Sequence, residues 1–177
     1  MSGKCILIVG ARGMGKSTTL RNELKKANKK SLIIYDVNGE HKDLYPYPLI
    51  PFEEFTDMCS RVYNAVIVIE EATIYLSNRG NNFDVKEFLV KARHRNNTVF
   101  MNYHSLRSLP IYIYDLSDFI VLHKTKDKQS LVEKKFEDEE FTEEFLKIKN
   151  AALLDSGKVK ANGEPILYSP HVVLSIN

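Results

Sequence analysis

The chain lacks a long apolar run. Its longest, such as Cys5 to Val9 and Ala65 to Ile69, fall far short of the roughly 18 residues needed to cross a bilayer, so no membrane span is expected. Met1 to Lys4 leads into a short apolar stretch that stops at Gly10, too brief for the core of a secretory signal. Cysteine is scarce. Cys5 and Cys59 both sit in apolar surroundings, which argues against a disulfide framework and for buried free thiols in a reducing, cytoplasmic compartment. Net charge is also small: 25 Lys and Arg against 23 Asp and Glu give +2, so bulk charge does not mark a nucleic-acid binder. Internal repeats and low-complexity linkers are absent as well.

What remains is 177 residues, 44% hydrophobic and 27% charged, the makeup of one globular domain. Charge is locally uneven. Lys25, Lys26, Lys29 and Lys30 cluster early, Lys91, Arg93 and Arg95 centrally, and Glu137 to Glu144 forms an acidic block, read as a solvated helix face that would turn away from DNA.

Strand and helix patterns alternate along the chain. Lys4–Val9, Ser31–Asp36, Ala65–Ile69, Thr98–Tyr103 and Asp118–His123 read as buried strands. Between them, Lys16–Asn28 carries Leu20, Leu24 and Ala27 at helical spacing, and Phe52, Phe55, Cys59 and Val62 form a second stripe. Asp84 with Glu87 three residues on opens a third helix like a capping box, after a loop at Gly80–Asn82. Five strands with helical connections predict an α/β fold, a mostly parallel sheet covered on both faces, over residues 1–125. Residues 126–177 break the rhythm. They read as an appendage: a charged helical stretch around Glu133 to Leu154, a turn at Asn162-Gly163, and two short apolar runs.

The most specific motif is Gly10-Ala11-Arg12-Gly13-Met14-Gly15-Lys16-Ser17, a gapless G-x-x-x-x-G-K-[ST] between a strand and a helix. Glycines let successive N–H groups turn inward toward phosphate oxygens, Lys16 reaches the β- and γ-phosphates, and the Ser17 hydroxyl takes Mg²⁺. Thr18 follows at the start of the helix, whose positive end faces the anion. These residues predict a nucleoside triphosphate site, with ATP as the expected nucleotide. Arg12 either touches nucleotide or faces solvent.

The strand Ala65–Ile69 ends in Glu70-Glu71, at the edge of an open α/β sheet where ligands bind. Glu70 is expected on the metal side and Glu71 as the group polarising the attacking water. Glu at 70 is one methylene longer than the usual Asp, which leaves the division of labour between the two open.

G-A-R-G-M-G-K-S at 10–17, D-V-N-G-E-H at 36–41 and I-V-I-E-E-A at 67–72, taken together, resemble the HerA/FtsK superfamily of P-loop ATPases. The resemblance covers about residues 4–125. It implies a three-layer P-loop fold with a five-stranded core in the order 5-1-4-3-2, the Thr98–Tyr103 strand lying between those of the phosphate loop and the acid pair. His104 or Asn102 would be the polar sensor, where the family usually carries Gln. An arginine would reach a neighbour's γ-phosphate, with Arg95, Arg93, Arg79 and Arg107 as candidates. The small size is most similar to the viral genome-packaging branch, with Zot-like phage morphogenesis proteins as neighbours. That branch implies a homo-oligomeric ring of five or six subunits acting on double-stranded DNA without sequence preference, with viral capsid or portal proteins as further partners. A nucleotide kinase shares the phosphate loop but does not need an acidic pair ending a strand. A non-hydrolysing switch would not need Glu71.

Overall fold

The computed structural model describes residues 3–26, 31–76 and 84–176. Five parallel strands form the core: β1 (Cys5–Val9), β2 (Leu32–Tyr35), β3 (Val66–Ile69), β4 (Thr98–Tyr103) and β5 (Phe119–His123). Read from the β5 side they follow the order 5-1-4-3-2, and β4 lies between β1 and β3. The sheet has a sixth strand, however. β8 (His171–Ser175) pairs antiparallel with β5, Ile120 opposite Leu174, so the chain beyond 125 supplies one edge of the main sheet. Its last apolar run closes a strand edge that would otherwise present unpaired backbone groups.

Alternation along each strand sends side chains to two separate cores. Leu7 and Val9 of β1, Ile33 and Tyr35 of β2, and Ile67 and Ile69 of β3 belong to the larger core. It also takes side chains from α2 (Phe52–Cys59), α3 (Ala72–Tyr75), α4 (Val85–His94), α5 (Ile111–Asp115), α6 (Gln129–Phe136) and α7 (Glu139–Asn150). Ile8, Ile34, Val68 and Phe100 face the other way, onto Leu20 and Leu24 of α1 (Lys16–Leu24). Every strand of the parallel core is thus apolar on both faces, as buried parallel sheets require. Cys5 and Cys59 are buried free thiols, each pushed up to about 12 by burial.

Some boundaries differ from those the sequence suggests. The helix after the phosphate loop ends at Leu24; Ala27, Lys29 and Lys30 lie outside the described residues, as do Arg79 and the Gly80–Asn82 loop. The charged stretch near Glu133 is two helices. Glu137 adopts a left-handed conformation (φ 51°) that stops α6, and the Asp138 carboxylate accepts the Phe141 N–H to start α7. The capping start of α4 forms as the pattern predicts, Asp84 accepting the Glu87 N–H. The turn at Asn162-Gly163 joins β6 (Leu154–Val159) to β7 (Pro165–Tyr168), a two-stranded hairpin of its own. Among the described residues, no helix is long and apolar enough to cross a membrane.

A candidate nucleotide site at the carboxyl edge of the sheet

β1 ends at Val9 and α1 starts at Lys16, so the glycine-rich segment must turn the chain over the sheet's carboxyl edge. It is stitched in place by its first two amides: the Gly10 N–H donates to the Tyr103 carbonyl (3.1 Å) and the Ala11 N–H to the Lys124 carbonyl (2.9 Å). A side chain at position 10 would not fit, because its Cβ would lie 2.6 Å from the His123 Cβ. Gly15, at φ 98°, caps α1 in a left-handed conformation that an L side chain avoids. Lys16 is only 7% exposed. Its Nζ donates to the Gly10 carbonyl (2.7 Å) and the Ala11 carbonyl (3.2 Å), folding the lysine back along the loop. Burial pushes its pKa down, opposed by the nearby Glu70, Glu71 and Glu40 carboxylates.

The acid pair sits beside this loop. Glu70 is buried, and both its oxygens are engaged: Oε1 lies 2.7 Å from His41 Nε2, and Oε2 accepts from Asn102 Nδ2 at 2.8 Å. Glu71 follows in a left-handed conformation, φ 56°, and takes a separate set of partners. Its Oε2 lies 2.6 Å from His104 Nε2, and its Oε1 accepts from Asn38 Nδ2 at 3.2 Å. His104 Nδ1 in turn lies 3.3 Å from Lys16 Nζ. Asn102 and His104, alternatives for one sensor position in the sequence, therefore divide the work: each holds one of the two acids.

Asn38 and His41 were not assigned roles by motif. The loop carrying them is shaped by Asp36, whose two carboxylate oxygens accept the N–H groups of Glu40 (3.0 Å) and His41 (2.7 Å), with Gly39 at φ 67°. The available signal was a run of polar residues directly after a buried strand, the place where open α/β sheets build sites. The turn of the β6–β7 hairpin is marked by Asn162-Gly163 and its second strand by the apolar run that follows, but nothing in its pattern or its position in the chain points to the phosphate loop.

A cavity of about 960 Å³ opens over these groups, within the usual range for small-molecule sites. Arg12, Gly13, Gly15, Ser17 and Thr18 line it together with Lys16, Glu70, Glu71 and His104. Arg95 is elsewhere. It ends α4 near the start of β3, where its carbonyl accepts the Asn64 N–H and its guanidinium lies 5.5 Å from the Tyr63 ring centre. Arg93 is held within the chain by the Leu116 carbonyl (2.7 Å) and Asp118 (3.0 Å). Arg107 is exposed and follows β4 on the same edge as the phosphate loop.

The donor set suits Mg²⁺: a Ser17 hydroxyl and a Glu70 carboxylate are hard oxygen ligands, few in number, and Mg²⁺ commonly completes its shell with phosphates and water. No cluster of three or more His, Cys, Asp or Glu among the described residues could hold a metal without a nucleotide.

A family model described as "Helicase HerA, central domain" matches residues 2–150. Among solved structures, the DNA-packaging ATPase B204 from Sulfolobus turreted icosahedral virus is similar over 86% of this chain and 90% of that one, at 20% identity and a TM-score of 0.69. The genome-packaging NTPase B204 from Sulfolobus turreted icosahedral virus 2, in complex with sulfate, is similar over 95% and 97%, at 18% identity and 0.69. The N-terminal domain of zonular occludens toxin from Neisseria meningitidis is similar over 68% and 76%, at 12% identity and 0.51. These likenesses establish the P-loop fold. No curated protein matches the chain in sequence.

Proposed function

The chain belongs to the family of the HerA helicase central domain, and on that premise we propose that it is an ATP-hydrolysing motor that moves double-stranded DNA, a viral genome-packaging ATPase working as a homo-oligomeric ring. The observation that carries this reading is the chain of contacts from Lys16 through His104 to Glu71. It joins the phosphate-binding cation to the acid that would activate water, inside one cavity. The packaging role draws further support from structural neighbours that are a DNA-packaging ATPase and a genome-packaging NTPase, the latter in complex with ATP-gammaS.

In this reading the loop amides and Lys16 bind the triphosphate, with Lys16 exchanging the Gly10 and Ala11 carbonyls for phosphate oxygens. Mg²⁺, held by Ser17 and Glu70, would neutralise charge on the phosphates. Glu71 takes a proton from water as its oxygen attacks the γ-phosphorus in line, and the bond from phosphorus to the ADP oxygen breaks. His41 and Asn102 fix Glu70, while Asn38 and His104 fix Glu71. Charge developing on the transferred group calls for a cation from outside the chain. Arg107 is the best-placed candidate because it is exposed on the active edge; Arg95 would need a neighbour packed against the opposite end of the sheet. The place of action would be the host cytoplasm or the virion, with capsid or portal proteins as neighbours.

A nucleotide kinase would use the same loop but needs several lid arginines. Arg12 is the one arginine lining the cavity among the described residues, which favours the motor. The test is ATPase rate with and without double-stranded DNA, with oligomer mass measured over the same concentrations. Activity should rise with assembly and again with DNA; a rate indifferent to both would leave the kinase reading ahead.

A further inference from the structure

The far wall of the cavity has no role in this account. It comes from the β6–β7 hairpin, through Ile166, Leu167 and Tyr168, with Asp155, Ser156 and Lys158 beside them. A two-stranded hairpin alone is marginal in water, and this one leaves Ile166 39% and Leu167 41% exposed. It is held in place at its root. Ser169 is fully buried; its N–H donates to the Met14 carbonyl of the phosphate loop (3.2 Å), and its hydroxyl accepts the Lys124 N–H (2.9 Å). Tyr168 lies so close over Gly15 that a Cβ there would come within 3.3 Å of the Tyr168 Cβ. The phosphate loop thus carries the hairpin directly.

The cavity is therefore two-sided. One end offers a lysine, loop amides and the start of a helix, which suit a polyanion. The other offers an aromatic ring with an aliphatic side chain next to it, rimmed by Asp155, Ser156 and Lys158. A ligand matching both is a flat, weakly polar body on a triphosphate tail. We propose that the β6–β7 hairpin is the nucleobase wall of the site, with Tyr168 as the stacking platform and Ile166, two residues away on the same strand face, packing beside it. The inference rests on the nucleotide reading of the phosphate loop. Stacking tolerates any base, because every base has a π-face. The wall accordingly selects nucleotides over bare polyphosphate more than it selects among bases.

The test compares ATP, GTP and inorganic tripolyphosphate binding to the full chain in the presence of Mg²⁺. ATP and GTP should bind within about fivefold of each other, and both at least about tenfold tighter than tripolyphosphate, the scale of one lost stacking partner. Tyr168→Ala should bring ATP close to tripolyphosphate while leaving tripolyphosphate unchanged. Ile166→Ser, at an exposed position that cannot unfold the core, should do the same to a smaller degree. The chain contains no tryptophan, so Tyr168→Trp adds a single reporter. Its emission should respond to ATP and GTP and not to tripolyphosphate. Equal wild-type affinity for ATP and tripolyphosphate would overturn the wall and leave the phosphate site standing. So would equal losses of both ligands in Tyr168→Ala together with no effect in Ile166→Ser. If the wild type bound none of the three, the nucleotide reading itself would fall.

Discussion

His104 Nε2 lies 2.6 Å from Glu71 Oε2, while the other nitrogen of the same ring lies 3.3 Å from Lys16 Nζ. A lysine ammonium can only donate, so Nδ1 is the acceptor and Nε2 carries the proton given to the carboxylate. One imidazole therefore sets the position of Glu71 relative to the lysine of the glycine-rich loop.

Replacing that ring should be felt in turnover. His104→Ala is expected to lower the ATPase rate by about ten- to a hundredfold, the scale of losing a hydrogen bond to a charged group, with ATP affinity little changed. His104→Gln, whose amide can also donate to Glu71 and accept from Lys16, should recover much of the loss. Steady-state kinetics on both variants checks this; equal defects would mean the ring does more than position.

The two acids should separate by phenotype. Glu71→Gln is expected to bind ATP and turn over at least about a hundredfold slower, the usual scale for a lost general base. Glu70→Gln should instead shift the Mg²⁺ requirement upward. It should also lower stability by about 1–3 kcal/mol, because an amide at 70 would set an N–H₂ against Asn102 or His41 in a buried site. Magnesium titrations and denaturant melts distinguish them, and exchanged phenotypes would move the assignment by one residue.

Lys16→Ala should abolish hydrolysis and weaken ATP binding with the fold retained, since Lys16 bonds to the loop and not to either apolar core. The same variant probes assembly. Mixed with an Arg107→Ala or Arg95→Ala chain whose own site is intact, it should restore activity by lending its arginine across the interface. No rescue with either partner, together with activity independent of concentration, would remove the ring from the account.

His123 supplies a pH dependence of stability. It is buried against the phosphate loop, 3.2 Å from Thr19 Oγ1 and with its ring centre 4.9 Å from that of His171, and burial, helped by His171, pushes its pKa down to about 4. The unfolded ring titrates near 6.5, so below that pH the unfolded chain takes a proton that the folded chain refuses. The stabilisation is complete above about pH 6.5 and drains away as pH falls toward 4, by up to about 3 kcal/mol. Denaturant unfolding from pH 7 to 4 should show a shallower loss for His123→Gln than for the wild type; parallel curves would refute the assignment.

The sequence was legible where local pattern and chemistry coincide. The run from Cys5 to Ser17 announces strand, turn and helix as one motif, and Ala65 to Glu71 marks a buried strand ending in acids. The sheet order rested on the family resemblance, because nothing local to β4 says that it inserts between β1 and β3. His41 and Asn38 gained their roles only through tertiary approach to Glu70 and Glu71. Asp138 did carry a helix-start signal, but the acidic block around it hid the break at Glu137. The pairing of β8 with β5 joins residues about fifty positions apart, a distance at which periodicity is silent.

That pairing has a practical consequence. The family match ends at residue 150, and a shortened chain designed on that limit would look natural on paper. It would leave β5 as a bare edge, open to pairing with other molecules. It would also strip Ser169 from the Met14 carbonyl and the Lys124 N–H, unfastening the phosphate loop from outside. Such a fragment should come out of cells clumped, and any soluble fraction should hold nucleotide poorly, so the last 27 residues belong in every version made for study.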